Sequence, residues 1–255
     1  MGTAEALGLG CRFAGALEAL EHLLPGPGPL IDRLDAFRAQ FIIPPDRLAH
    51  VFEAAVAESR SRTLAHAPMP DGERFTIEYV TGKPWSGYNW YQGGFHSVIQ
   101  VNTDLPVYLD RAVDLAAHEG YPGHHLYNAV LEQRLVQSRG WTEFTVYPLF
   151  SPQSLIAEGT ANFGIEVAFP GDDRVRFERD VLLPLAGLPA DAFERYHAVL
   201  REMGRLAYAG NEAARQYLDG RRDRQSTVDW LVRWSLMSPA RAEQRTRFME
   251  DRKST

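Results

Sequence analysis

A Pro-Gly pair interrupts a segment that otherwise has the pattern of a helix, and this break constrains the fold more than any other sequence feature. The segment reads LAAHEGYPGHHLYNAV, with Pro122 and Gly123 near its centre. In a helix interior, proline removes one backbone hydrogen bond and clashes with the preceding turn, at a cost of about 3 kcal/mol. Three histidines and a glutamate surround the break. The sequence therefore predicts a local irregularity among side chains that can carry chemistry.

Histidine followed by glutamate on a helix is the start of a zincin metal site, in which the glutamate serves as general base. His118 and Glu119 form such a pair, but Pro122 occupies the place of the usual second histidine. Two alternatives remain open. In an unbroken helix, seven positions make nearly two turns, so His125 would share a face with His118. A bulge of two extra residues would instead bring His124 to that face, and bulges within helices are often found at functional sites.

A catalytic zinc ion normally has three protein ligands and one water, so a third ligand is needed. Glu158, in the apolar segment SLIAEGTANFGIEVAF, is the candidate, because the small residues that follow it at 159–161 would let another helix approach closely. Glu166 is a candidate for supporting a ligand, although a capping or salt-bridge role is favoured for it. One Zn²⁺ ion is predicted, since two histidines and a carboxylate with an open position suit zinc. Non-haem iron oxygenases use the same ligands, but the adjacent His-Glu pair has no role there.

The patterns along the chain predict a mainly α fold with one small antiparallel β-sheet, in a single domain spanning residues 1–255. Strands are predicted for RFTIEYV and HSVIQVNT, with the intervening TGKPWSGYNWYQGGF as a loop that could roof a cleft. The stretch LLPGPGPL near 23–30 is predicted to be a linker. The ending EDRKST has no cap signal, which leaves open whether the chain is part of a longer protein. The list of predicted later helices is 107–137, 152–168, 190–219, 226–237 and 239–251.

Charge and composition narrow the classes of partner. The net charge of −6 and the lack of a basic stripe argue against nucleic acid as the main partner. No run of about 18 apolar residues is present, so no membrane span is predicted. The N-terminal segment lacks the features of a signal peptide, and a cytoplasmic location is expected. Cys11 is the single cysteine, so no disulfide can form within the chain. The oligomeric state is not indicated.

Two segments together, HEGYPGHHLY and AEGTANFGIE, resemble the bacterial domain-of-unknown-function family 885. The fold of that family is similar to that of the Taq-type zinc carboxypeptidases, among the gluzincin peptidases. The resemblance implies a multi-helix, zincin-like metallopeptidase that hydrolyses peptide substrates, with carboxypeptidase activity as one expectation. It implies His118, His124 and Glu158 as zinc ligands and Glu119 as the base. His124 is favoured over His125, because the family varies at the latter position.

Further residues are candidates for contacts with a peptide substrate and its transition state. Tyr208, in LAYAGN, is a candidate catalytic donor to the oxyanion, with His125 and His197 as other donors. HSVIQVNT could hold an extended peptide as an edge strand, with Asn102 contacting the substrate backbone. The plainer interpretations are a core tyrosine and a turn asparagine.

Besides a zinc peptidase, two other functions fit the sequence. One is a non-catalytic helical module with a structural or vestigial metal site, and the other is a metal hydrolase of non-peptide amides or esters.

Overall fold

The structure, a computed structural model, describes residues 4–251 except 84, 149 and 150. It is mainly helical with one small three-stranded sheet, which confirms the predicted fold class. In chain order the helices and strands are α1 (Ala4–Leu23), α2 (Leu30–Arg38), α3 (Leu48–Leu64), β1 (Arg74–Val80), β2 (Gly87–Gly93), β3 (His96–Asn102), α4 (Leu109–Leu115), α5 (His124–Leu131), α6 (Pro152–Ala168), α7 (Asp173–Phe177), α8 (Leu183–Ala186), α9 (Phe193–Leu218), α10 (Arg224–Ser235) and α11 (Pro239–Asp251). Turns of π-helix lie at Ala116–Gly120, Glu132–Gln137 and Glu178–Leu182.

The sequence predicts one domain, whereas the packing divides the chain into two compact units. The first combines Met1–Gln40 with Asp191–Thr255, and the second is Phe41–Ala190. In the first unit α1 and α10 pack on the long helix α9. The predicted linker at 23–30 is the turn between α1 and α2, where Gly26 and Gly28 adopt positive φ. Among the described helices, none has the length and apolar character that crossing a membrane requires.

The sheet belongs to the second unit and is mixed rather than antiparallel. Its strand order is β1-β3-β2, with β3 parallel to β1 and antiparallel to β2. A tight turn at Gly94-Phe95, both with positive φ, folds β2 back on β3, and β1 then joins the other side of β3 in the same direction. β2 was predicted as part of a loop. It is a strand at the edge of the sheet, and β3 is the central strand.

The π-helical turn Ala116–Gly120 lies at the centre of the second unit. It packs against α3, α4, α5, α6 and β2. The apolar side of β3, formed by Ile99 and Val101, is buried, as expected for a strand with alternating side chains. The turn is therefore held on several sides, and the residues it carries have fixed positions.

Candidate metal centre

The Pro-Gly break is a two-residue insertion in the helical path. The backbone N–H of Tyr121 donates to the carbonyl oxygen of Ala116 at 3.0 Å, and that of Gly123 donates to the carbonyl oxygen of Ala117 at 2.9 Å. The second bond spans six residues, two more than the four of an α-helix. The Tyr121–Pro122 peptide bond is cis, and α5 begins at His124. The sequence alternative with two extra residues is therefore the one that the structure adopts, and His124 rather than His125 faces His118.

Gly123 is required by the closeness of the chain at this break. A Cβ atom at this position would lie 1.8 Å from the carbonyl oxygen of His118 and 2.4 Å from that of Ala117. Both contacts are far shorter than van der Waals distance, and both are with backbone, which cannot move away as a side chain can. The insertion is therefore compatible only with glycine at this position.

We expect Gly123→Ala to lower the free energy of unfolding by at least about 1–3 kcal/mol, the usual cost of overpacking. Gly159→Ala is the matched control, because a Cβ at Gly159 in α6 would meet no atom within 4 Å. Alanine is the better helix former, so the control should gain up to about 1 kcal/mol. Urea unfolding of both variants measures these changes. Equal midpoints for Gly123→Ala and the wild type would contradict the close packing described here.

α6 approaches the break through small residues. Ala157, Ala161 and Gly164 are its buried positions near the break, and a Cβ at Gly164 would lie 2.6 Å from the Pro122 ring. The sequence prediction placed the close approach at 159–161. Gly159 in fact faces open space, and the close contact with Pro122 is made at Gly164. Pro122 thus interrupts one helix and seats the helix that carries Glu158.

His118, His124 and Glu158 converge. The two Nε2 atoms are 3.1 Å apart, His118 Nε2 is 3.3 Å from Glu158 Oε2, and His124 Nε2 is 3.4 Å from Glu158 Oε1. Among the residues that the structure describes, these three form the one group with donor atoms mutually close enough to hold a metal ion.

These separations fit a divalent metal ion. With zinc–ligand distances of about 2.0–2.2 Å, the corners of a tetrahedron lie about 3.3–3.6 Å apart. The two His–Glu distances fall in this range, and the His–His distance is slightly shorter. Two imidazole nitrogens and one carboxylate are also the donor set that zinc prefers, and the half-exposed Glu158 leaves one side of the group open to solvent. Geometry and donor chemistry therefore both suit a catalytic type of zinc site.

The three side chains are strongly coupled electrostatically. Hydrogen bonds from His118 and His124 hold the pKa of the Glu158 carboxyl well below its usual range. Burial lowers the pKa of His118, but its hydrogen bond to Glu158 and the charges of Glu119 and Glu158 outweigh burial and raise it. The carboxylates of Glu119 and Glu158 thus favour positive charge at the His118 imidazole.

Glu119 is buried beside this group, at 6% exposed. Burial raises the pKa of its carboxyl, partly offset by the two histidines. Gly87 of β2 lies against this residue, since a Cβ there would come within 3.4 Å of Glu119 Oε1. Asn89 Nδ2 also donates a 2.8 Å hydrogen bond to the Glu119 carbonyl oxygen. The edge strand therefore packs directly on the residue predicted to be the base.

A cleft of ≈ 880 Å³ opens over the group. It is lined by the three converging residues, Glu119 and the whole of β2. Tyr88, Trp90 and Tyr147 contribute aromatic surface to it. All of β2 belongs to the segment predicted to be a loop that roofs a cleft. The segment does line the cleft, but this part of it is a strand rather than a loop.

Asn102 has a different role from the predicted contact with substrate. Its Nδ2 donates to the carbonyl oxygens of Lys83 and Trp85, at 2.8 and 2.9 Å, and its Oδ1 accepts from the backbone N–H of Asp104. These bonds fix the turns at the end of β3. β3 is also the central strand, so its backbone is paired on both sides, and the edge strand beside the cleft is β2.

His125 does not reach the cleft, which corrects its predicted contact with substrate. It is fully buried, with Nδ1 2.8 Å from Ser97 Oγ and Nε2 2.9 Å from Glu73 Oε2. The two-residue insertion explains this placement, since it turns His124 towards His118 and its neighbour into the core.

The other predicted residues lie outside the group. Tyr208 is 69% exposed on α9, in the first unit, whereas the cleft is lined by the second unit. His197, also on α9, is buried against Phe193 and Tyr196. Glu166 is exposed and is not among the residues that line the cleft. Tyr88 and Tyr147, which the sequence interpretation did not single out, line the cleft instead.

Glu73 is the centre of a buried polar cluster that the sequence interpretation missed. Its side chain is 1% exposed and bonds to Arg60, Tyr121 and His125. Burial acts to raise the pKa of Glu73, but these hydrogen bonds and the charge of Arg60 outweigh it and lower the pKa. A sequence signal does exist: Glu73 is in phase with Phe75 and other inward positions of β1, where a charged residue is unusual.

This lowered pKa gives a prediction for stability. Because the fold favours the ionised form, Glu73 stabilises the protein fully above the ordinary glutamate pKa of about 4.3, and this stabilisation is lost as the pH falls through the lower pKa of the folded state. The difference in unfolding free energy between the wild type and Glu73→Gln should therefore narrow on acidification below about pH 4. Urea unfolding across that range measures it. A difference that stays constant or widens would contradict the lowered pKa.

Comparison with known proteins adds information on the fold. No protein-family model matches the chain, and no curated protein matches it. Among solved structures it is similar to the crystal structure of "the putative lipoprotein from Colwellia psychrerythraea", with a TM-score of 0.62, 14% sequence identity and 95% of this chain covered. This chain spans 40% of the length of that one. At such identity the similarity shows a shared fold alone.

Proposed function

We propose that this protein is a zinc-dependent hydrolase of peptide bonds, with His118, His124 and Glu158 as ligands and Glu119 as general base. The observation that carries the proposal is the spacing of the three donor atoms, at 3.1, 3.3 and 3.4 Å. The resemblance of the two sequence segments to family 885 supports the same assignment, because its ligand pattern falls on the same residues.

Each side chain then has a defined task. A zinc ion held here would lower the pKa of a bound water towards about 7 and polarise the carbonyl group of the substrate. Glu119, next to His118 in the same π-helical turn, takes the proton of the attacking water and passes it to the leaving amine. Its buried position keeps it oriented. Tyr88 and Tyr147, which line the cleft, are further candidate donors to the developing oxyanion.

The edge strand beside the cleft favours a peptide over a small ester or amide. Within the described part of the chain β2 pairs only with β3, and an extended peptide can bind such an edge through main-chain hydrogen bonds. The cleft volume of ≈ 880 Å³ lies within the range of about 300–1,000 Å³ that is typical of ligand sites. A substrate on this edge would pass close to Glu119, because Gly87 and Asn89 contact that residue.

Substrate profiling tests the proposal. The zinc-loaded protein is incubated with peptides that have free or blocked C-termini, and with a parallel set of esters and non-peptide amides. We expect turnover of peptides that stops with a zinc chelator and returns with added zinc. A preference for free C-termini would identify a carboxypeptidase. Turnover of esters or non-peptide amides alone would support the rival hydrolase, and a zinc-loaded protein without any turnover would support the non-catalytic module.

A further inference from the structure

Both sides of the Pro-Gly break are hydrogen-bonded to the same carboxylate oxygen. Glu73 Oε2 accepts from the hydroxyl of Tyr121, which ends the π-helical turn, and from Nε2 of His125, which lies in the first turn of α5, at 2.9 Å. Tyr121 comes three residues after His118, and His125 directly follows His124. This one oxygen therefore joins the segment of the first predicted ligand to that of the second.

The remaining contacts orient the carboxylate and the imidazole. Glu73 Oε1 accepts from Arg60 Nε and Nη2 of α3, at 3.0 and 2.6 Å, so the second oxygen is directed at the break. His125 must donate through Nε2 to a carboxylate, which leaves Nδ1 to accept from the Ser97 hydroxyl at 2.8 Å. α3, β3 and both halves of the broken helix are thus bonded into one network.

Apolar packing leaves this network little freedom. The Phe75 ring lies 5.1 Å, centroid to centroid, from the rings of both Tyr121 and His125. A Cβ on Gly120 would come within 3.0 Å of the same Phe75 ring. The ring therefore fills the space beneath the break and opposes sliding of one half against the other.

We propose that Glu73 is a positioning residue for the metal centre, which fixes the separation of His118 and His124 by holding Tyr121 and His125 on one oxygen. The proposal rests on the proposed function for its metal. Residues that orient metal ligands from behind typically contribute 10–100-fold to metal affinity. Here the contribution acts through the backbone on either side of the break, since neither ligand is itself bonded to Glu73 in the contacts described.

The test compares Glu73→Gln with Glu78→Gln, the same change on the outer side of β1, where the exposed Glu78 accepts a hydrogen bond from Gln100. Zinc affinity is measured by competition with a chromophoric chelator, and the visible spectrum of the Co²⁺-loaded protein reports ligand geometry. We expect Glu73→Gln to bind zinc on the order of 10–100-fold more weakly, with an altered Co²⁺ spectrum, and Glu78→Gln to behave as the wild type. If Glu73→Gln is less stable but binds zinc with wild-type affinity and spectrum, the role is only structural and the proposal is wrong.

A second measurement separates this proposal from the metal itself. The amides of Tyr121 and Gly123 close the insertion, so their hydrogen exchange without added metal should be faster in Glu73→Gln than in Glu78→Gln. Tyr121→Phe, which removes one hydroxyl group, should show the same direction if Glu73→Gln does not fold. A wild-type protein that binds no zinc would refute the proposed function. Hydrogen exchange at Tyr121 and Gly123 would still decide whether Glu73 positions the two halves of the break. Unchanged exchange in both Glu73→Gln and Tyr121→Phe would overturn it.

Discussion

Glu119→Gln is expected to keep its zinc and to lose about 10²–10⁴-fold in turnover, the usual contribution of a general base. Glutamine has nearly the same shape, so packing against Gly87 and the hydrogen bond from Asn89 to the backbone should persist. The amide cannot take a proton from the attacking water. Zinc content by elemental analysis and kcat on the best peptide from the profiling give the two readouts.

Glu166→Gln is the matched control for this change, because Glu166 is an exposed glutamate of the same unit that does not line the cleft. It should retain both zinc and turnover. If Glu119→Gln hydrolyses peptides at the wild-type rate, hydrolysis does not use this residue as its base. If Glu119→Gln loses zinc as well as turnover, the main role of Glu119 is to help retain the metal ion, and the loss of turnover does not identify it as the base.

His118→Ala should purify without stoichiometric zinc and should lose peptide hydrolysis. The substitution removes one of three donor atoms that lie within 4.8 Å of one another, and two protein ligands are too few for a stable catalytic zinc site. The loss of affinity should exceed the 10–100-fold that removal of a residue behind a ligand typically causes. Elemental analysis of protein purified without added metal measures it directly.

His66→Ala serves as the control, since His66 is exposed beyond the end of α3. It should retain zinc at the wild-type level. Zinc in His118→Ala at the wild-type level, with circular dichroism showing an intact fold, would mean that the ion is held by other residues.

The predictable part of the fold is the part in which side-chain patterns are regular. β1 and β3 were predicted at nearly their observed bounds, because they alternate between apolar and polar residues. β2 was missed because the inward positions of this strand near the turn are Gly87 and Asn89. A Cβ at Gly87 would lie 2.5 Å from Leu115 and 3.4 Å from Glu119, and Asn89 bonds to the backbone of Glu119. Close packing of β2 against these two residues therefore takes the place of the apolar alternation that marks a strand.

The candidate site shows the same division. The adjacent His118 and Glu119 are visible in the sequence, but spacing alone left two choices for the second histidine. The choice depends on a six-residue backbone hydrogen bond and on packing of α6 against Pro122, neither of which has a sequence signature. Glu73 was missed for another reason: its phase with the inward positions of β1 indicates burial, but its partners Tyr121 and His125 lie about fifty residues away and meet it only after folding.

The hydrogen bond from Asn89 to the carbonyl oxygen of Glu119 has a mechanical consequence. It fastens one wall of the cleft to the backbone of the residue at its floor. A ligand that pushes β2 outward would pull the Glu119 carbonyl group with it, so β2 and the backbone of Glu119 would move together. A peptide bound to β2 as proposed would therefore stay aligned with the Glu119 carboxylate during small movements of the hairpin.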